Sequence, residues 1–288
     1  MSFLENIDKN KLQKIVLIVI SALTLAAITL LLTIIVMSIS PKSPTVDQEI
    51  EFKTVAVEEK DILAGTLILA DKDHKYAVDK NLLDLIDCQT YRDEQLTAAG
   101  VQVDETTKNK DYLPWKNMKL NKDAMVAAHK MLTDAKAAVK GEAITIDAAF
   151  DRIVYGGNDN EGYNTGLLMF LSDFTSDSGA YVKLSDDYST WLKANAAKYG
   201  FVNSFEDAYR YVGVTHATYM AQEKLSLADY INYLKKNHSA DQKMLQVGDY
   251  GVYYVSCKTG DSINVPANNE YTISGTNEGG VIVTVKLK

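Results

Sequence analysis

The longest pattern along the chain is an unbroken apolar one. From Ile15 to Ile39 the sequence IVLIVISALTLAAITLLLTIIVMSI carries no charged side chain. A helix of that length reaches about 37 Å and covers a hydrocarbon core of about 30 Å with some tilt. A cleaved signal peptide would have a shorter apolar core and a small-x-small cleavage site, and Met37-Ser38-Ile39-Ser40-Pro41 offers a poor one. The pattern therefore predicts a membrane-spanning helix over 15–39. Residues 40–60, SPKSPTVDQEIEFKTVAVEEK, mix two prolines with many charges and read as a stalk.

Shorter patterns follow. Gly65-Thr66-Leu67-Ile68-Leu69-Ala70 reads as a brief apolar strand closed by the polar turn Asp71-Lys72-Asp73-His74. Over 121–141, Met125, Ala128, Leu132, Ala135 and Val139 recur at helical spacing, with Asn121 as N-cap and Gly141 as the stop. Ile144-Thr145-Ile146 predicts a strand behind it. A second helix is expected from Ser185 to Tyr199, with Tyr188, Trp191, Leu192 and Ala196 on one face and Gly200 as terminator. Ser226 and Asp229 form a capping-box-like start to a third, carried by Leu227, Ile231 and Leu234. From Tyr250 the pattern turns to strands: YGVYYVSC, SINVPA, EYTISG and GGVIVTVKL, separated by Gly, Asn and Pro. Helices first and strands last give an α+β class with a small all-β tail.

Charge orients the picture. Lys9, Lys11 and Lys14 precede the apolar span, and only Lys42 follows it before Asp47, Glu49 and Glu51. The positive-inside bias puts residues 1–14 in the cytoplasm and everything after about residue 40 outside, in a single pass. The whole chain of 288 residues has 30 Lys+Arg against 38 Asp+Glu, a formal charge of −8. An acidic chain is a poor nucleic-acid binder, because phosphate contacts need a basic face. Two cysteines, Cys88 and Cys257, cannot make a four-cysteine zinc site, and outside the cytoplasm they remain free to pair or not. None of the four histidines, His74, His129, His216 and His238, is set at a metal-ligand spacing such as H-E-x-x-H. His74 sits in a turn, and His129 and His238 are expected on helix surfaces.

The order of segments from about residue 62 to 285 resembles the VanY-type D-alanyl-D-alanine carboxypeptidases, zinc peptidases of bacterial peptidoglycan. Gly65-Thr66-Leu67-Ile68-Leu69-Ala70-Asp71-Lys72-Asp73-His74 is similar to the family's opening G-x-L-I-L-V-N-K-D-H. Trp191-Leu192-Lys193-Ala194-Asn195-Ala196-Ala197-Lys198-Tyr199-Gly200-Phe201 resembles W-L-x-x-N-A-x-x-Y-G-F, and Arg210-Tyr211-Val212-Gly213 with His216-Ala217 resembles R-Y-V-G-x-x-H-A. Tyr271-Thr272-Ile273-Ser274-Gly275 is similar to a β tail found in clostridial members. The resemblance implies an antiparallel sheet with flanking helices over 61–244 and a C-terminal β subdomain over 245–288.

It also implies where the catalytic residues should stand, and they are not there. The family holds zinc through the His and Asp of S-x-H-x-x-G-x-A-x-D and the His of E-x-W-H. Register on Thr165-Gly166-Leu167 puts Tyr163 at the first His and Phe170 at the Asp. Counting back from Arg210-Tyr211 puts Ala208 at the second His and Phe205 at the general-base Glu. The family's S-G-Y-R becomes Ala148-Ala149-Phe150-Asp151, which reverses the charge of a substrate-contacting arginine; a one-residue slip brings in Arg152 or Glu206 but restores no ligand. Zinc needs thiolate, imidazole or carboxylate donors, and a catalytic site needs three plus an open position for water.

The expectation is a membrane-anchored pseudoenzyme of the bacterial cell envelope, with no metal or cofactor. Its candidate ligand cleft comprises Tyr163, Asn164, Tyr209, Arg210 and His216, and its candidate partners are an envelope protein or a peptidoglycan stem peptide. The alternative is an active D,D-peptidase with a rearranged zinc site, for which His216 with Asp173 or Asp177 is the candidate ligand set. A purely structural envelope subunit is a third reading. Asn158-Asp159-Asn160-Glu161 is a weak candidate for calcium, and most of the 17 tyrosines are expected to pack.

Overall fold

In the computed structural model the described residues are 50–77, 79–103, 112–114, 117–141, 143–151, 162–173, 182–240 and 243–287. The expected span at 15–39, the candidate calcium segment 158–161, Arg152 and Asp177 lie outside them. Among the described residues no helix is long and apolar enough to cross a membrane.

The elements in chain order are β1 (Phe52–Ala56), α1 (Glu59–Leu63), β2 (Leu85–Asp87), α2 (Cys88–Ala98), β3 (Leu113–Pro114), β4 (Lys119–Asn121), α3 (Lys122–Ala138), β5 (Ile144–Ala148) and β6 (Leu168–Asp173). There follow α4 (Asp186–Asn195), β7 (Phe201–Phe205), β8 (Ala208–Tyr211), α5 (Val214–Glu223), α6 (Leu227–Asn237), β9 (Leu245–Val247), β10 (Tyr250–Ser256), β11 (Ser262–Pro266), β12 (Tyr271–Gly275) and β13 (Gly280–Lys286). The fold is mixed α+β, as the patterns predict.

A five-stranded sheet in the order β3-β5-β6-β8-β7 carries the centre. It is antiparallel except for the β3/β5 pair. One face receives α3 and α4. Ala124, Met125, Ala128, Met131, Leu132 and Ala135 of α3 and Tyr188 and Leu192 of α4 pack with Ile144, Ile146, Met169, Leu171 and Tyr209 in the largest core. Asn121 caps α3 as expected, its side-chain oxygen accepting from Asp123 N at 3.0 Å. A bulge in β5 shifts the pairing from Ile146/Leu171 to Ala148/Phe170. An extra residue in one strand reverses the alternation beyond it, so Ala148 leaves the face of Ile146 and joins the opposite one.

The C-terminal strands form an antiparallel sheet in the order β12-β13-β10-β9. Its two faces separate by alternation. Val252, Tyr254 and Ile282 pack with Ala217, Met220, Tyr230, Ile231 and Leu234 of α5 and α6. Tyr253, Val281, Val283 and Val285 pack with Ile263 and Val265 of β11 and with Val57 beyond β1.

Several expectations are corrected here. The stalk over 40–60 is too long at its C-terminal end: Phe52–Ala56 is a strand paired antiparallel with Ser262–Pro266, and α1 begins at Glu59 with a capping box between Glu58 and Asp61. The alternation is masked by charge, and the partner strand comes from the far end of the chain. The boundary at 244/245 does not separate packing units, because α5 and α6 share a core with β9, β10 and β13. Gly65–Ala70 is buried over Leu67–Ala70 but is not a strand. Its backbone is satisfied irregularly instead: Leu67 N donates to Ser274 Oγ at 2.9 Å, Leu69 N to Thr276 O at 3.0 Å, and Leu69 O accepts from Asn277 Nδ2 at 2.9 Å. His238 is buried, not on a helix surface; its ring nitrogens lie 2.7 Å from Lys243 O and 3.2 Å from Tyr233 Oη. Cys88 and Cys257 are free and buried in two different cores.

Candidate functional site

The reverse face of the central sheet, away from α3 and α4, holds a small cluster of Ala148, Tyr163, Leu168, Phe170 and Ala208, with Phe205 packed on its edge. Each member arrives by a definite local device. The bulge in β5 delivers Ala148, and alternation along β6 sends Leu168 and Phe170 to this side while Met169 and Leu171 go to the other. A second bulge, between Asn203 and Phe205 of β7, sets Phe205 opposite Ala208. Tyr163 comes from a single 3₁₀ turn held between Gly162 and Gly166, both left-handed at φ +87° and +69°. A side chain at Gly162 would also crowd the carbonyl of Ala70 at 2.8 Å and Arg210 Nη1 at 3.0 Å. The cluster is buried: Tyr163 is 3% exposed, Phe170 7% and Ala208 not at all.

This brings together the four positions, Tyr163, Phe170, Phe205 and Ala208, singled out by motif register, and Ala148 with them. Apart from the Tyr163 hydroxyl the group offers no oxygen, nitrogen or sulfur donor, so it does not fit zinc. Among the described residues no three His, Cys, Asp or Glu side chains converge closely enough to hold a metal.

The other candidates disperse. Asp151 is exposed at φ +68° and pairs with Lys119 Nζ at 2.9 Å. Tyr209 faces the main core, where burial pushes its hydroxyl up to about 12. Asn164 stands beside the cluster, donating to Tyr76 O at 3.2 Å, and its Oδ1 is buried without a hydrogen-bond partner among the described residues. His216 belongs to the layer between α5, α6 and β13. Its Nδ1 lies 3.0 Å from Tyr230 Oη and its Nε2 3.0 Å from Thr284 Oγ1. With both nitrogens committed it has no lone pair to spare for a metal, and burial pushes its pKa down to about 4. His216 thus takes a structural place, and among the described residues no metal-ligating group forms around it; Asp177 lies outside them.

Arg210 is the residue whose setting the sequence did not disclose. It lies on β8, two positions from Ala208 and on the same side of the sheet, and is 4% exposed. Its Nη2 donates to Ile68 O, and its Nε is buried with no hydrogen-bond partner among the described residues. Burial pulls its pKa down to about 10, opposed by the nearby charge of Asp71. Asp71 itself is engaged. Burial pushes its carboxyl up, but the His74 ring and the backbone N–H groups of Asp73 and His74, all on Oδ1, outweigh that and hold it below the ordinary range.

Arg210 also lines a pocket of about 350 Å³ beside the cluster. Residues Leu69–Asp73 form one wall, Val202–Phe205 a second, and Met220 with Leu225–Ala228, the turn between α5 and α6, the third.

No protein-family model matches the chain. Over 112 residues it is 35% identical to a D-alanyl-D-alanine carboxypeptidase of Enterococcus faecium, covering 33% of this chain. The match spans about a third (35%) of the enterococcal protein's length. Among solved structures the chain overlays on the vancomycin resistance D,D-dipeptidase VanXYg, in complex with a D-Ala-D-Ala phosphinate analog. The TM-score is 0.62 at 20% identity, over 82% of this chain and 99% of that one. A VanY D,D-pentapeptidase in complex with Zn(II) overlays less well, at a TM-score of 0.37 and 14% identity over 58% of this chain and 99% of that one. The chain thus has the mixed α+β fold of the VanXYg D,D-dipeptidase and, over about a third of its length, resembles in sequence a D-alanyl-D-alanine carboxypeptidase.

Proposed function

We propose that the protein is a catalytically inactive relative of the D-alanyl-D-alanine carboxypeptidases that acts as a binding module at the bacterial cell envelope. In this reading the apolar helix 15–39 anchors it in the membrane with its N-terminus inside and the folded part outside. Its binding partner is a peptidoglycan stem peptide, held without cleavage, or an envelope protein. One observation carries the proposal: the positions that motif register assigns to the zinc ligands and the base come together as an apolar cluster. Water bound to zinc ionises near neutral pH, whereas free water does not, and a phenyl ring at Phe205 removes no proton. A polar centre replaced by packed apolar side chains also has no room for a hydrated ion.

The test is made on the full-length protein, purified without chelator and without a histidine tag. Metal content by mass spectrometry and hydrolysis of a D-Ala-D-Ala-terminated peptide are measured together. Background metal, no hydrolysis and retention on purified peptidoglycan or on a specific envelope protein are expected. Near-stoichiometric zinc with hydrolysis would overturn the proposal in favour of an active peptidase.

A further inference from the structure

The pocket beside the cluster has the make-up of a small-ligand site. Its volume, about 350 Å³, falls at the lower end of the range for small-molecule pockets. Its walls are largely apolar, from Leu69, Val202, Phe205, Met220, Leu225 and Leu227. Such pockets take the apolar body of a ligand by burial and fix its orientation with a few polar groups.

The polar groups here favour an anion. Arg210, nearly wholly buried, lines the pocket with one guanidinium nitrogen committed to Ile68 O and its Nε without a partner among the described residues. A buried guanidinium with an unsatisfied donor is stabilised by an anionic group brought beside it. The start of α6 lies on the same pocket through Ser226, Leu227 and Ala228. Ser226 Oγ accepts from Asp229 N at 3.1 Å, and the N–H groups of Leu227 and Ala228 belong to the first turn, which has no intrahelical acceptor. That helix end adds partial positive charge, which Asp229 in the same turn, its Oδ2 accepting from Ser226 Oγ at 2.6 Å, offsets only in part. The acidic side chains on the wall do not reverse this. Asp71 Oδ1 already accepts from Asp73 N, His74 N and the His74 ring, and Asp73 lies at the rim, 3.8 Å from Lys72 Nζ.

We infer that this pocket binds a small carboxylic acid with an apolar body, its carboxylate turned toward Arg210 and the start of α6 and its body among Val202, Met220 and Leu225. The inference goes beyond the proposed function and does not rest on it: the pocket shares Phe205 and Arg210 with the neighbourhood of the apolar cluster, but its ligand is held by the loop 69–73, β7 and the α5–α6 turn, not by Tyr163, Phe170 or Ala208.

Full-length protein with labelled Leu, Val and Met methyl groups is titrated with N-acetylleucine, with its uncharged amide and with inorganic phosphate, and methyl shifts are followed by NMR. The acid is expected to bind in the millimolar range or tighter and to move the methyls of Val202, Met220, Leu225 and Leu227. The amide should bind at least about tenfold more weakly, and phosphate, which has no apolar body, should leave those methyls unmoved. Ala228→Phe fills the pocket from the half-buried helix face and should abolish the shifts while the rest of the spectrum stays native. Arg210→Lys keeps the charge but loses the fork, and should weaken the acid with little effect on the amide. Equal binding of acid and amide, shifts that persist in Ala228→Phe, or no binding of the acid by the folded wild type would each overturn the inference. Because none of these readouts involves metal or hydrolysis, their failure is distinguishable from failure of the proposed function.

Discussion

His216 Nε2 lies 3.0 Å from the Thr284 hydroxyl, which ties α5 to the last strand of the C-terminal sheet. The ring is kept neutral by burial, with its pKa lowered from 6.5 to about 4. The unfolded chain therefore takes up a proton that the folded chain refuses between those two values. Stability is complete above pH 6.5 and falls as pH drops toward 4, by about 3 kcal/mol for this one group. His238, also lowered by burial and opposed by its bond to the Lys243 carbonyl, adds in the same direction. Urea denaturation at a series of pH values should show a shallower slope for His216→Gln than for wild type. Equal slopes would refute this account.

Phe170 fills the apolar cluster that stands where the resemblance puts a zinc ligand. Truncation to alanine should cost about 3–4 kcal/mol through lost burial and a residual cavity. Phe170→Asp should cost more in the absence of metal, because it buries a carboxylate among Ala148, Tyr163 and Leu168. Chemical denaturation of the two variants against wild type gives both numbers. A Phe170→Asp variant as stable as wild type would mean that the centre is polar after all.

Gly275 meets α1 at close range. A methyl there would overlap the Ile62 carbonyl, and Gly275 N already donates to Ala64 O at 2.8 Å. The approach is backbone to backbone, so no side chain can yield. Gly275→Ala should lower the melting temperature by several degrees, about what 1–2 kcal/mol yields in a chain of this size. At Gly141, where nothing lies within 4 Å of an added methyl, alanine should leave it unchanged.

Residues 50–58 are part of the fold. A chain beginning at 45 should unfold at higher urea than one beginning at 61, since the latter loses β1, Val57 and the capped start of α1, leaving β11 without its partner. Identical midpoints would restore those residues to a stalk.

At the other scale, Asn121→Ala removes the cap that satisfies Asp123 N and Ala124 N at the start of α3. A loss of about 1 kcal/mol is expected by denaturation, with the fold unchanged by circular dichroism.

What could be read from the sequence was what is decided locally. The starts of α3 and α6 were marked by Asn121 and Ser226, and the strands β10 to β13 by alternation between turn residues, because caps and periodicity act within a few positions. The stretch 52–56 hid its alternation among charges, and its partner lies about 210 positions away. Gly65–Ala70 looked like a strand because apolar content reports burial, and burial here comes without a ladder. Tyr163, Phe170, Phe205 and Ala208 were found together only through the register of a resemblance; no periodicity joins positions on three strands and a 3₁₀ turn. The same register says nothing of where His216 faces. Six positions beyond Arg210 in sequence, it sits on a helix in another layer, whereas Arg210 turns toward the loop that carries Ile68. The partnerless Nε of Arg210 is a matter of what surrounds it, and no local pattern announces that.

The pairing of β1 with β11 sets a timetable for synthesis. A ribosome makes β1 near the start and its partner near the end, and the same holds for Leu67 with Ser274 and for Gly275 with α1. Until β11 and β12 have emerged, β1 is a strand with an open edge and the 65–70 loop an apolar stretch without acceptors, both in need of protection from other chains. A stop codon ahead of β11 would therefore leave an unfinished fold, not a shortened one, with β1 unpaired.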